Sequence, residues 1–218
     1  MLIWRAYGTR YPRSVLPDGI ANPTYFFRLP FNVGDFAAGL PNLSGKAVFS
    51  IVTYATVRGS ASRQLQEAFV ASGARFLGNL TLGGADYWYA YLRRGVLFLP
   101  DAPDEERLGE AREFGRAVAR RYESGESLTE EIPDEAAFIY RLERFLTNRA
   151  LVRGFYSRAF TVSRKLCDGC GVCVSACPTE NVTLSGGRPS WGRDCLACMS
   201  CALHCPRDAL RTAFDLPV

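Results

Sequence analysis

Eight cysteines lie between positions 167 and 205 in two runs, Cys167-x2-Cys170-x2-Cys173-x3-Cys177-Pro178 and Cys195-x2-Cys198-x2-Cys201-x3-Cys205-Pro206. The second run repeats the first at a period of 28 residues, and no cysteine is left over. Three thiolates at two-residue gaps need only a tight loop to converge on one corner of a metal cube, so this spacing points to iron–sulfur chemistry. Gly169, Gly171 and Ala197 are small enough to let backbone N–H groups approach the sulfurs. Pro178 and Pro206 suit the first positions of short helices, where a missing N–H costs nothing.

Other uses of cysteine fit less well. Structural zinc takes four ligands per ion, commonly as two Cys-x2-Cys pairs, whereas each run here has three close cysteines and then a Cys-Pro. Disulfides belong to secreted chains, and Met1 to Arg5 shows neither a basic n-region nor a long apolar h-region. His204, the only histidine, sits beside Cys205 and reads as a surface residue, not as a ligand. No Ser/His/Asp set or paired carboxylates suggest acid–base catalysis.

The elements that must carry this stretch can be read upstream. Thr161–Leu166 and Arg188–Trp191 can supply small strands around the cysteine loops, and Trp191 reads as packing. Asp134 to about Tyr156 reads as one connecting helix with Phe138, Leu142, Phe145 and Leu146 on its buried side. Ala47–Tyr54 is a short apolar run of the kind found in a covered strand. Ser60–Ser72 fits an amphipathic helix with Leu65, Ala68 and Phe69 on one face and Gly73 as its stop. Ala74–Leu82 is a second strand, so the succession predicts a βαβ unit with a parallel sheet. A helix through Tyr122 follows the acidic lead-in Asp101–Glu106, with Leu108, Ala111, Phe114, Ala117 or Val118, and Arg121 along one face.

The N-terminal region is less regular. Leu2–Tyr7 is a candidate strand, Val15–Ile20 resembles a buried strand interrupted by the turn signal Pro17-Asp18-Gly19, and Asn22–Phe27 reads as an aromatic loop. Phe36, Leu40 and Leu43 fit a short helix ending at Gly39 or Pro41. An aromatic patch holds Tyr87, Trp88, Tyr89 and Tyr91.

Charge is nearly balanced at a net +4, with no block of five like charges, which excludes a nucleic-acid footprint. Arg141, Glu143, Arg144, Arg149 and Arg153 interrupt the most apolar stretch, so no membrane span is expected. The expectation is a cytoplasmic protein with reduced thiols.

Residues 161–211 resemble a bacterial-type ferredoxin with two [4Fe–4S] clusters. In such ferredoxins the fourth cysteine of each run serves the other cluster. The resemblance therefore assigns Cys167, Cys170, Cys173 and Cys205 to one cluster, and Cys195, Cys198, Cys201 and Cys177 to the other. Residues 20–122 resemble the flavodoxin-like half of a family that fuses such a domain to a ferredoxin. The matching stretches are Asn22–Phe27, Val52-Thr53-Tyr54 with its loop to Gly59, and Tyr91–Phe98. In that family the loops corresponding to Tyr25 and to Tyr54–Gly59 flank a flavin ring.

The first strand and the Ser/Thr-Gly-rich phosphate loop of that family have no counterpart here. The third strand of a 2-1-3-4-5 sheet would then become an open edge, and FMN would be held by ring contacts alone, which disfavours it.

The implied architecture is α/β, a partial flavodoxin-like parallel sheet followed by a small α+β bacterial-type ferredoxin domain. Its expected parts are residues 1–123, a linker and connecting helix at 124–160, and the ferredoxin domain at 161–218. The expected function is electron transfer with redox protein partners. Alternatives are a flavin-dependent reductase, in which the clusters feed electrons to FMN, and a metal-binding interaction module without redox chemistry.

Overall fold

A computed structural model describes residues 17–134 and 138–212. The Leu2–Tyr7 strand candidate lies outside them. The chain divides into two units, one of residues 1–86 and 98–144, the other of residues 87–97 and 145–218. The segment 87–97, read from sequence with the N-terminal part, thus groups with the cysteines.

The first unit is built on three parallel strands, β1 (Asp18–Pro23), β2 (Ala47–Tyr54) and β3 (Arg75–Gly83), in the order β1-β2-β3. Helix α1 (Phe31–Ala38) joins the first pair and α2 (Ala61–Ala71) the second. Strand β1 begins at Asp18, inside the Pro17-Asp18-Gly19 turn signal. Parallel pairing with β2 outweighs the local preference, and Gly19 permits it: a Cβ there would lie 2.3 Å from the Phe49 ring. Pro23 is tolerated because it ends an edge strand.

The sheet is covered on two faces. Val48, Val52 and Phe76 pack with Leu65 and Phe69 of α2 and Val33 of α1. Ala47 and Leu77 pack with Val118, Phe49, Phe114 and Tyr122 on the other face. Val118, Phe114 and Tyr122 belong to α4 (Glu105–Ser124), which starts where the Asp104 side chain accepts a hydrogen bond from Arg107 N and stops at Gly125 in the left-handed region. Full burial of a side chain such as Leu65 stabilises by about 1.5–3 kcal/mol.

The single connecting helix expected over 134–156 is not formed. Instead α5 (Phe138–Leu146) ends, and α6 (Arg149–Gly154) begins after Asn148. Asn148 causes the break: its side chain donates to the Phe145 carbonyl at 2.7 Å and accepts from Leu151 N at 3.1 Å, stopping one helix and capping the next. The apolar stripe faces outward, with Phe138 82% and Phe145 68% exposed and Leu142 and Leu146 also exposed.

In the second unit, α3 (Tyr89–Leu92) contributes from upstream, and α6 leads through a 3-10 turn (Tyr156–Arg158) into the cysteine region. There β4 (Thr161–Val162) pairs with β7 (Leu210–Arg211), and β5 (Val182–Ser185) with β6 (Arg188–Trp191), both antiparallel. Helices α7 (Val172–Ser175) and α8 (Ser200–Leu203) lie 28 positions apart, as do the starts of β5 and β7. Each small sheet therefore pairs a strand of one repeat with a strand of the other. The prolines do not begin helices. They occupy the second position of turns closed by Glu180 N to Cys177 O at 3.2 Å and Asp208 N to Cys205 O at 3.1 Å, where proline's fixed φ serves equally well.

Candidate iron–sulfur site

The 28-residue repeat is written into the backbone of the loops. Gly169 and its counterpart Ala197 have φ of +76° and +52°, and Gly171 and Met199 have +78° and +57°. Glu180 and Asp208, which close the two Cys-Pro turns, have +53° and +46°. Such left-handed points curl each loop on itself, turning successive cysteines toward one space. Gly169 has a further constraint, because a Cβ there would stand 2.7 Å from the carbonyl oxygen of Gly187.

Two cavities result. The first is lined by Cys167, Cys170, Cys173 and Cys205, together with Gly169, Leu184 and Pro189. The second is lined by Cys177, Cys195, Cys198 and Cys201, together with Phe160, Trp191 and Met199. The sequence places Cys177 four residues after Cys173, yet its side chain belongs to the other cavity; Cys205 crosses in the opposite sense. All eight cysteines are unpaired thiols.

The walls supply hydrogen-bond donors to sulfur. Asn181 N donates to Cys177 Sγ at 3.2 Å, Ala209 N to Cys205 Sγ at 3.3 Å, and Ala197 N to Cys195 Sγ at 3.3 Å. In the second cavity the buried donor Asn181 Nδ2 has no acceptor among the described residues, and the Trp191 indole reaches only the Cys201 thiol. The orientation of the Asn181 amide is fixed by its Oδ1, which accepts from Asp194 N at 2.7 Å. Orphaned buried donors are costly unless something in the cavity accepts from them. Thiolates and sulfides are such acceptors, so the donor set fits an iron–sulfur cluster.

The two cavities differ in exposure. At the first, Cys170 is exposed and Asp168 bridges the rim, accepting from Cys170 N at 3.1 Å and from Arg207 Nε at 3.2 Å. Those contacts, the Cys170 amide foremost, hold the Asp168 carboxyl below its ordinary range. At the second, Phe160 and Trp191 stack at 4.9 Å with 12° between their planes, and Cys201 is buried. Burial pushes the Cys195 thiol up to about 11, and Cys201 up to about 12 against a smaller opposing pull from the Trp191 indole.

Sequence reasoning missed several residues of these walls. Met199 could have been found by sliding the chain 28 positions onto Gly171. Phe160, Asn181 and Asp168 carried no signal, because their part depends on which strand meets which. His204 lines neither cavity; its Nδ1 lies 2.9 Å from the Ser200 carbonyl.

The loops that the flavodoxin resemblance places around a flavin pack on one another in the first unit. Gly59 leaves room for the Phe27 carbonyl, which would lie 2.4 Å from a Cβ and which accepts from Ser60 N at 2.9 Å. The Tyr54 ring carries Arg58 at 5.5 Å, and the Phe27 ring lies 4.4 Å from Tyr140. Tyr25 is engaged in a backbone bridge with Arg28.

Two four-cysteine cavities, wrapped by left-handed loops and joined by strands that cross between repeats, define a ferredoxin-type iron–sulfur domain; the other unit of the chain is α/β. Residues 166–210 match the family model described as a 4Fe-4S dicluster domain, which supports iron–sulfur electron transfer for this part of the chain. Compared with curated proteins, the chain finds no match. Among the described residues no helix is long and apolar enough to cross a membrane.

Proposed function

We propose that the chain is an electron carrier whose residues 161–211 hold two [4Fe–4S] clusters with crossed ligands. Cys167, Cys170, Cys173 and Cys205 hold one, and Cys195, Cys198, Cys201 and Cys177 hold the other. The observation that carries this reading is the lining of each cavity by three cysteines of one run and the fourth of the other. Each cluster, when bound, supplies one-electron chemistry with little ligand rearrangement.

The chain's own residues do the rest. The crossed turns tie the two sites together, since Cys173 and Cys177 lie on one short segment facing different cavities. Backbone N–H groups of Asn181, Ala197 and Ala209 stabilise negative charge on sulfur. Phe160 and Trp191 keep water from the second site, while the exposed Cys170 edge of the first is where redox protein partners exchange electrons. A reducing cytoplasmic setting suits thiols held for metal.

For the α/β unit we infer a partial flavodoxin-like domain that docks or regulates such partners. The parallel order β1-β2-β3, with β1 at the edge, supports it as the third to fifth strands of a 2-1-3-4-5 sheet. No step is assigned to FMN, since Arg58 and Tyr140 already engage the Tyr54 and Phe27 rings.

The test is one anaerobic preparation. The expected protein is brown, bleaches with dithionite and carries about eight irons per chain. A colourless protein loaded with zinc would sink the reading.

A further inference from the structure

Helix α3 follows the sheet of the first unit in sequence, yet its side chains reach the turn that carries Cys205. Tyr89 is only 6% exposed. Its hydroxyl donates to Asp208 Oδ1 at 2.5 Å and lies 3.1 Å from the Leu210 carbonyl. Arg93 Nη1 donates to the Tyr89 oxygen and to both Asp208 carboxylate oxygens, each at 3.1 Å. From the far side Arg211 Nη1 donates to the Asp208 carbonyl at 2.8 Å. Burial raises the Tyr89 pKa, keeping the hydroxyl a donor.

Asp208 is the fourth residue of the turn Cys205-Pro206-Arg207-Asp208, and its φ of +46° lies in the left-handed region, which aspartate adopts more readily than most residues other than glycine. The next amide, Ala209 N, is the one that donates to Cys205 Sγ. The other repeat is an internal control. Glu180, at the same place in the Cys177 turn, is exposed, and its carboxylate makes no hydrogen bond among the described residues. That turn is secured instead from within the cysteine region, by Thr179 Oγ1 donating to the Asp194 carbonyl at 2.7 Å.

We propose that Tyr89 and Arg93 are positioning residues for Cys205. They hold Asp208 so that the Ala209 N–H stays on the Cys205 sulfur, and in this way set the reduction potential of the first cluster independently of the second. The proposal rests on the two-cluster reading above. An N–H donor stabilises the sulfur most when the site carries the extra electron, so hydrogen bonds to sulfur raise the potential.

Tyr89→Phe and Arg93→Gln in the full chain, titrated potentiometrically with EPR detection, are expected to lower one of two midpoint potentials. The other should stay in place and the iron content should be unchanged. Arg93→Lys should return part of the shift. Two unmoved potentials, an equal shift in both, or loss of both clusters together would each overturn the proposal. Amide exchange, which needs no bound iron, gives a second readout: in Tyr89→Phe the Ala209 N–H should exchange at least tenfold faster while the Asn181 N–H is unaffected. Wild-type protein without iron would defeat the iron–sulfur reading, while unchanged Ala209 exchange would defeat this one.

Discussion

The backbone N–H of Asn181 donates to Cys177 Sγ at 3.2 Å, and in the same residue the side-chain Nδ2 is buried against the second cavity without an acceptor. One residue thus supports the crossed cysteine and presents a spare donor to whatever the cavity holds. Cys177→Ser should accordingly damage the site formed with Cys195, Cys198 and Cys201, not the site of its own run. Iron content is expected to fall from about eight toward about four, with loss of one of two EPR signals. Loss of the signal belonging to the Cys167 site would reverse the crossed assignment.

Trp191 presents its indole N–H to Cys201 at that cavity. In Trp191→Phe a ring remains to stack on Phe160 while the donor is removed. The expected result is a lower potential for the second cluster alone, read by the same titration. An unchanged potential would mean that the indole only packs.

The left-handed points of the loops predict opposite effects at equivalent positions. Gly169→Ala should destabilise by about 1–3 kcal/mol, since it adds both a left-handed penalty and a collision with the Gly187 carbonyl. Ala197→Gly, at φ +52°, should stabilise by up to about 1 kcal/mol. Urea unfolding of the two variants gives the comparison.

In the metal-free protein the buried thiols set an alkaline limit. Cys195 is pushed up to about 11 and Cys201 to about 12, both mainly by burial, from an ordinary 9.0. A raised thiol pKa favours the fold while the group stays neutral in it. The contribution is whole below pH 9 and is lost as pH rises through 11 and 12. Urea midpoints should therefore be flat near neutrality and fall above pH 9, and Cys201→Ser should reduce that slope. Metal loading runs the other way, because the thiols must give up protons to bind, so reconstitution should improve as pH rises from 6 to 8.5.

Leu65→Ala tests the first unit. Leu65 is fully buried under α2 against the sheet, and its removal should cost about 2–5 kcal/mol in the unfolding of that unit, measured by denaturant with far-UV CD.

The sequence carried the chemistry because metal ligation depends on side-chain identity at short range. The Cys-x2-Cys-x2-Cys spacing, the 28-residue period and the small residues at 169, 171 and 197 are all properties of neighbouring positions. Strand β2 and helix α2 were legible for the same reason: an apolar run and a helical stripe are local patterns. Where tertiary contacts outweigh local preference, the sequence misled. Asp18-Gly19 became part of a strand because β2 pairs with it; the 134–156 helix broke for a local reason that the apolar stripe hid, the Asn148 side chain serving both ends of the break. Only the folded chain brings Cys177 and Cys205 into opposite cavities, leaves Asn181 with a donor to spare, and brings Tyr89 to Asp208 across 119 residues of sequence. Those relations depend on which strands pair across the repeat, and no local preference encodes that.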